Sequence, residues 1–145
     1  SLYECNMTFE IDSKDFEKKL GEIFSTENFV EGVKKGCLAV EATAREKAPK
    51  DTGALRRSIE TNVTVNGDKI VGVVSTPLEY APYIEYGTGL FAEDGDGRKT
   101  AWSYQDDEGK WHTTSGMRPQ PFMRPALTEN KQNIINSIME ALTND

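Results

Sequence analysis

Histidine, cysteine and long apolar runs are scarce in this 145-residue chain, and each scarcity closes off a class of protein. His112 is the single histidine. Nucleophilic catalysis needs a base beside a Ser or Cys, but this residue follows Trp111 in what reads as an exposed hairpin, where a cross-strand polar role outweighs a catalytic one. Cys5 and Cys37 are too few for a disulfide framework, and neither has a neighbour at metal-ligand spacing. Both read as free thiols, with Cys37 a small buried hydrophobe on an apolar helical stripe. Apolar runs are a few residues long, far short of the roughly 20 that span a bilayer, and the N-terminus lacks a secretory layout. Excess positive charge is missing too: 17 basic residues face 24 acidic ones, for a net charge of −7. The mean field therefore repels phosphate and argues against a general nucleic-acid binder. With 37% hydrophobic and 28% charged residues, the composition is that of a soluble, intracellular globular domain. A chain of this length buries roughly two-thirds of its unfolded surface, so one core suffices.

Two loops imitate ligand motifs and fail. Asp94-Gly95-Asp96-Gly97 starts like a calcium loop, but Arg98 stands at the next ligand position and the closing glutamate is missing. Gly95 to Thr100 echoes a phosphate loop with the wrong lysine spacing and a strand after it. No catalytic, cofactor-binding or metal-binding residue is assigned, and no cofactor is expected.

Residues 1–6 carry no pattern and precede Met7-Thr8-Phe9, so they read as an added leader, with a single domain over 7–145. Asp12 or Ser13 caps a short helix bearing Phe16, Leu20, Ile23 and Phe24. A longer helix runs from about Thr26 to Ala48, with Val30, Val33, Cys37, Val40 and Ala44 on one stripe and Pro49 ending it. Gly32 and Gly36 inside it would let another backbone come close. From Ser58 the period changes to two, and Asn66-Gly67 predicts a tight hairpin between Ile59–Val65 and Ile70–Ser75. Tyr80, Tyr83 and Tyr86 sit in a Pro- and Gly-bounded segment that reads as a loop. A second hairpin joins Thr100–Tyr104 to Lys110–Thr113, within an insertion over about 90–116. The approach Pro119–Pro125 leads into a C-terminal amphipathic helix whose stripe is Leu127, Ile134, Ile135, Ile138, Met139 and Leu142.

Three segments then stand out in order: Ala48-Pro49-Lys50-Asp51-Thr52-Gly53-Ala54-Leu55-Arg56-Arg57-Ser58-Ile59, Tyr80-Ala81-Pro82-Tyr83-Ile84-Glu85-Tyr86-Gly87-Thr88, and Pro121-Phe122-Met123-Arg124-Pro125-Ala126-Leu127. Together they resemble the tail-component family of long-tailed phages and prophages, which includes head-tail joining, tail completion and minor tail proteins. The likeness spans roughly residues 28 to 142. The hairpin carrying Trp102, Tyr104 and Trp111 is similar to an insertion in members from Gram-positive phages, which implies such a host. The N-terminal helix is variable in that family, and residues 1–6 match nothing in it.

The resemblance implies an α+β fold: a long helix packed on an antiparallel β-sheet, with an additional β-hairpin arm and a C-terminal amphipathic helix. It implies a structural subunit and no chemistry. The expected partners are copies of the chain in a ring, together with neck connector, tail terminator or tail tube proteins. No membrane and no specific nucleic acid is implied, although DNA would pass through such a ring. The implied place is the host bacterial cytoplasm during assembly, then the virion tail or neck. The alternative is a prophage hydrolase or metal-dependent enzyme, or an unclassified prophage binding protein.

The candidate contact residues follow from the three segments and the hairpin. Asp51, Thr52 and Gly53 form a structural corner or a contact, with Leu55 and Arg56 beside them. Lys47, Lys50, Arg56 and Arg57 are the densest basic cluster, either an anion or partner contact or a solvated face. Tyr80, Tyr83 and Tyr86 fit core or interface equally, ahead of Gly87 and Thr88. Arg124, between Phe122 and Pro125, reaches either Glu85 of its own chain or an acidic group on a neighbour. Trp102, Tyr104 and Trp111 cover one another, extend the main sheet, or await a partner as an arm.

Overall fold

The computed structural model describes residues 5–50, 53–95 and 97–143. Its elements in chain order are β1 (Cys5–Asp12), α1 (Ser13–Leu20), α2 (Thr26–Lys47), α3 (Ala54–Ser58), β2 (Glu60–Asn66), β3 (Lys69–Thr76), α4 (Ala81–Tyr86), β4 (Trp102–Gln105), β5 (Trp111–Thr114) and α5 (Met123–Thr143). The expected α+β class is what forms.

β1, β3 and β2 make an antiparallel sheet in that order, with β3 central. Register sets one face: Cys5, Met7, Phe9 and Ile11 lie opposite Thr76, Val74, Gly72 and Ile70, which in turn lie opposite Thr61, Val63 and Val65. Because side chains alternate, this places every large apolar residue of β1 on the side that α2 covers, and Asn6, Thr8 and Glu10 on the other. The sequence expectation left β1 unread and treated Cys5 and Asn6 as patternless. Cys5 is buried in the core, and it and Asn6 pair with Thr76 and Ser75.

α2 carries the core, as its stripe predicts: Val33, Cys37, Val40 and Ala44 are buried with Phe29, and Val30 packs against them. Ser25 caps its first turn through Asn28 N–H (3.2 Å). On the sheet side, a methyl added to Gly72 would lie 2.9 Å from Val33 Cγ1 and closer still to Cys37 Sγ, so β3 carries no side chain where the helix crosses it. On the opposite side, a Cβ at Gly32 would stand 2.6 Å from Ile138 Cα and one at Gly36 2.7 Å from Ile134 Cα. The two glycines form the notch that brings α5 down onto α2, the close backbone approach their spacing suggests.

Two local expectations need correction. The short helix stops at Leu20, where Gly21 takes a left-handed φ of 69°. Ile23 lies beyond it and is 84% exposed, so it is not part of an apolar stripe, whereas Phe24 turns back to meet Phe29 edge-on at 6.1 Å. In the main hairpin, Asn66 is the last ladder residue, paired with Lys69, and the two-residue turn is Gly67-Asp68. Gly67 has φ 62° while Asp68 keeps a negative φ, which fits a II′ turn with glycine first and not the I′ turn that Asn-Gly at the centre would make.

Burial pushes the Cys5 thiol up to about 12 and the Cys37 thiol up to about 11. The thiolate is the reactive form, so neither should react with an aromatic disulfide reagent at neutral pH while the chain is folded, and both should react at once in denaturant. Prompt labelling of either in the native protein would contradict the packing.

Candidate partner-binding surface

The segment Tyr80–Thr88 is not the loop its composition suggests. Ala81 to Tyr86 form one and a half turns of helix, with Pro82 early in it, where a missing N–H costs nothing. The helical repeat sends Ala81 and Glu85 inward, both 0% exposed, and leaves Tyr80, Tyr83 and Tyr86 outside at 42%, 50% and 41%. None of the three tyrosines is core.

Glu85 explains the third segment. Its Oε1 accepts from Phe122 N (2.9 Å) and Met123 N (2.8 Å), and its Oε2 from Arg124 N (3.2 Å). These are orphan donors at the start of α5, and the next residue, Pro125, has none to offer. A carboxylate on one helix therefore caps another, at the end where the dipole favours negative charge. Arg124 completes the joint. Its Nε donates to Glu85 Oε2 (2.7 Å), its Nη2 to the Glu85 backbone carbonyl (3.0 Å), and Nη1 and Nη2 form a fork on Glu93 (2.8 and 3.1 Å). The guanidinium also lies 4.5 Å from the centre of the Tyr86 ring. Arg124 is thus engaged within its own chain. Its hydrogen bond holds the Glu93 carboxyl below the usual carboxylate range.

Glu93 belongs to the segment leading into the second hairpin, so the same joint mounts that hairpin. Backbone crosses backbone at its base: Thr88 N donates to Met117 O, Leu90 N to Ser115 O and Glu93 N to Tyr86 O, each 2.9 Å. Thr88 Oγ1 accepts from Met117 N (2.8 Å). A side chain at Gly89 would collide with the backbone of Ser115 and Gly116.

Beyond that base, β4 and β5 pair only with each other and form a separate sheet. They do not extend the main one. The register puts Trp102, Tyr104, His112 and Thr114 on one face and Trp111 on the other, so the two tryptophans cannot cover each other. Trp102 is half-buried beneath Arg98, 5.6 Å from its ring centre, at the edge of a groove shared with Pro82, Tyr83, Tyr86 and Thr88. Trp111 is 68% exposed. His112 stacks on Tyr104 at 5.3 Å and meets Asp106 Oδ2 at 2.7 Å, holding the turn, a cross-strand polar role as expected.

The remaining candidates divide. Asp51 and Thr52 lie outside the described residues. Gly53 precedes α3 with φ 72°, Leu55 and Phe122 are core, and Gly87 is buried at the hairpin base. Arg56 lies with Arg45 and Arg57 in a notch away from the tyrosines. Sequence reasoning missed Glu93, which is 31 residues from Arg124 and bears no local signal linking the two.

The family model described as "Bacteriophage HK97-gp10, putative tail-component" matches residues 13–87, slightly more than half of the chain. The chain belongs to this phage tail-component family. No curated protein matches it, and no solved structure does. The matched stretch runs from α1 to the end of α4 and includes the first of the three segments and all of the second but Thr88. Arg124 and the second hairpin lie beyond it, so the tail-component match covers the Glu85 half of the joint but not its Arg124 half. No helix among the described residues is long and apolar enough to cross a membrane.

Replacing residues 98–114 by a short Gly-Ser linker keeps Glu93 and the base, and removes the ribbon together with Arg98 and the half-buried Trp102. The melting temperature should stay within about 3 °C of wild type, the shift of roughly 1 kcal/mol in a domain of this size. A much larger fall would place the ribbon in the core.

Proposed function

We propose that this tail component is a structural subunit acting in head-tail joining or tail completion, working as repeated copies in a ring that contacts neck connector, tail terminator or tail tube proteins. The observation that carries this reading is a set of exposed aromatic rings outside the core. Tyr83, Tyr104 and Trp111 are 50%, 47% and 68% exposed, with Tyr104 and Trp111 on opposite faces of the hairpin whose base follows the Glu85–Arg124–Glu93 joint. Large rings with a polar tip lose little entropy on contact and dominate interface hot spots, and the core does not need these.

The test is complementation in a phage lacking this gene. The wild-type chain should restore joined particles, while Tyr83→Ala combined with Trp111→Ala should fold normally yet leave heads and tails unjoined in electron micrographs. Normal particles with the double variant would remove the aromatic surface from assembly. Joined particles in the absence of the gene would remove the joining role.

In dilute solution the subunit is expected to be a monomer or small oligomer, because a charge of −7 on each copy opposes bare association at low salt. Light scattering across a salt series checks this, and a closed ring at micromolar protein in low salt would contradict it.

A further inference from the structure

Of the basic residues near the end of α2, Arg45, Lys47, Lys50 and Arg57 are exposed and Arg56 is half-buried. Arg45, Arg56 and Arg57 line one notch, with Glu46 at its wall. Lys47 is diverted to Glu129 (3.0 Å) and takes no part. Arg45 donates to Ile59 O (2.7 Å), with Glu41 at 3.5 Å. Arg56 and Arg57 make no ion pair with any described residue, and Arg56 Nε is shut off from solvent without a hydrogen-bond acceptor. The guanidinium fork is shaped for a carboxylate.

The chain carries a matching group. The tip of the β4–β5 hairpin presents Asp107 and Glu108, exposed and without an ion pair to any described residue, while Asp106 is occupied by His112 and the turn amides. This tip is the acidic end of an arm that projects from its glycine-bound base.

We infer that the Arg45–Arg56–Arg57 notch of one copy receives the acidic hairpin tip of a second copy. Notch and tip are different patches of the surface, and such a contact repeated head to tail builds a ring when the rotation between copies closes. It deepens the ring reading proposed above and rests on it. A nucleic-acid backbone fits less well, because Glu46 stands in the wall and the whole chain repels phosphate.

Sedimentation equilibrium of the full chain, near millimolar and at moderate salt, tests the contact. Wild type should associate weakly. Arg57→Glu, and separately Asp107→Lys with Glu108→Lys, should each lower the association constant about tenfold, as expected for a close interfacial charge pair. All three residues are exposed, so folding should survive, and circular dichroism checks this. An equimolar mixture of the two reversed proteins should regain association, since each notch then meets an opposite tip. Arg56→Lys, which keeps the charge but loses the fork, should fall between.

Four outcomes overturn the inference: a wild type that stays monomeric, reversals without effect, a mixture no better than its parts, or a duplex DNA oligonucleotide that binds the notch and is lost in Arg57→Glu. If copies associate but reversal leaves the association unchanged, the ring reading survives without this contact. If the wild-type chain fails to restore joined particles, the failure lies with that reading and not with the notch.

Discussion

Arg124→Ala should lower the stability of the domain by about 2–4 kcal/mol, a fall in melting temperature of about 10 °C. Glu85 is 0% exposed and its nearest cation is Arg124 Nε at 2.7 Å. Removing that cation leaves a carboxylate inside the protein with only backbone N–H groups to hold it. The full penalty for breaking a buried pair is about 3–5 kcal/mol; the lower figure allows for the 37% exposure of the Arg124 side chain, since water can enter the vacated place. Arg124→Lys keeps the charge but cannot span Glu85 and Glu93 with one fork, and should lie between wild type and alanine. Glu85→Ala should cost at least as much as Arg124→Ala, because it also uncaps α5. Thermal unfolding followed by circular dichroism gives the order, and an Arg124→Ala change below about 0.5 kcal/mol would place the joint outside the folded core's energetics.

The same joint gives a pH dependence of definite sign. The Glu93 carboxyl titrates below its ordinary value in the folded state because Arg124 donates to it, and Asp106 does so chiefly because of His112. A carboxyl depressed on folding contributes stability above its unfolded pKa and loses it as pH falls through the folded value. The domain should therefore weaken in acid below the usual carboxylate range. Arg124→Ala should remove the Glu93 share of that slope.

Gly36→Ala should also destabilise, although local propensity predicts the opposite. Alanine in place of glycine inside a helix is worth about 1 kcal/mol. Against this, the new Cβ would stand 2.7 Å from Ile134 Cα and 3.0 Å from Ile134 Cβ, and at Gly32 it would stand 2.6 Å from Ile138 Cα. Those are backbone and branch-point atoms, which cannot swing aside, so α5 must lift from α2 and take buried Ile134, Ile138 and Leu142 with it. A net loss of about 2–3 kcal/mol is expected for either alanine, and more for Gly36→Val. The double alanine variant should cost less than the sum, since one displacement of α5 relieves both clashes. Gly21 is the control. A Cβ there would meet nothing, and only its φ of 69° resists substitution, at a cost of about 1 kcal/mol. Urea midpoints measure all five variants. A stabilised Gly36→Ala would mean that α2 and α5 are not in backbone contact.

What the sequence by itself determined is whatever depends on neighbours a few residues apart. The α2 stripe, the Ser58-to-Ser75 alternation and the α5 stripe are periodic signals within single elements, and they gave the helix, the hairpin and the α+β class. The Gly32–Gly36 notch was legible for the same reason, as two small residues on one helical face. β1 carried a readable alternation in Met7, Phe9 and Ile11, but it is an edge strand whose partners, Lys69 to Thr76, are remote in sequence, and it runs straight into the Asp12 cap of α1. Tertiary structure alone decided the rest. The Glu85–Arg124 pairing was one of two open options, because composition cannot tell which carboxylate meets a guanidinium 39 residues away. Glu93 had no signal at all. The tyrosines were ambiguous because Pro and Gly mark a loop and a short helix alike, and only a helical repeat with Glu85 inside turns all three outward. Mutual cover was one of three open options for the tryptophans, and their faces follow from a register of one residue in the ladder, since a pleated strand reverses direction with each step.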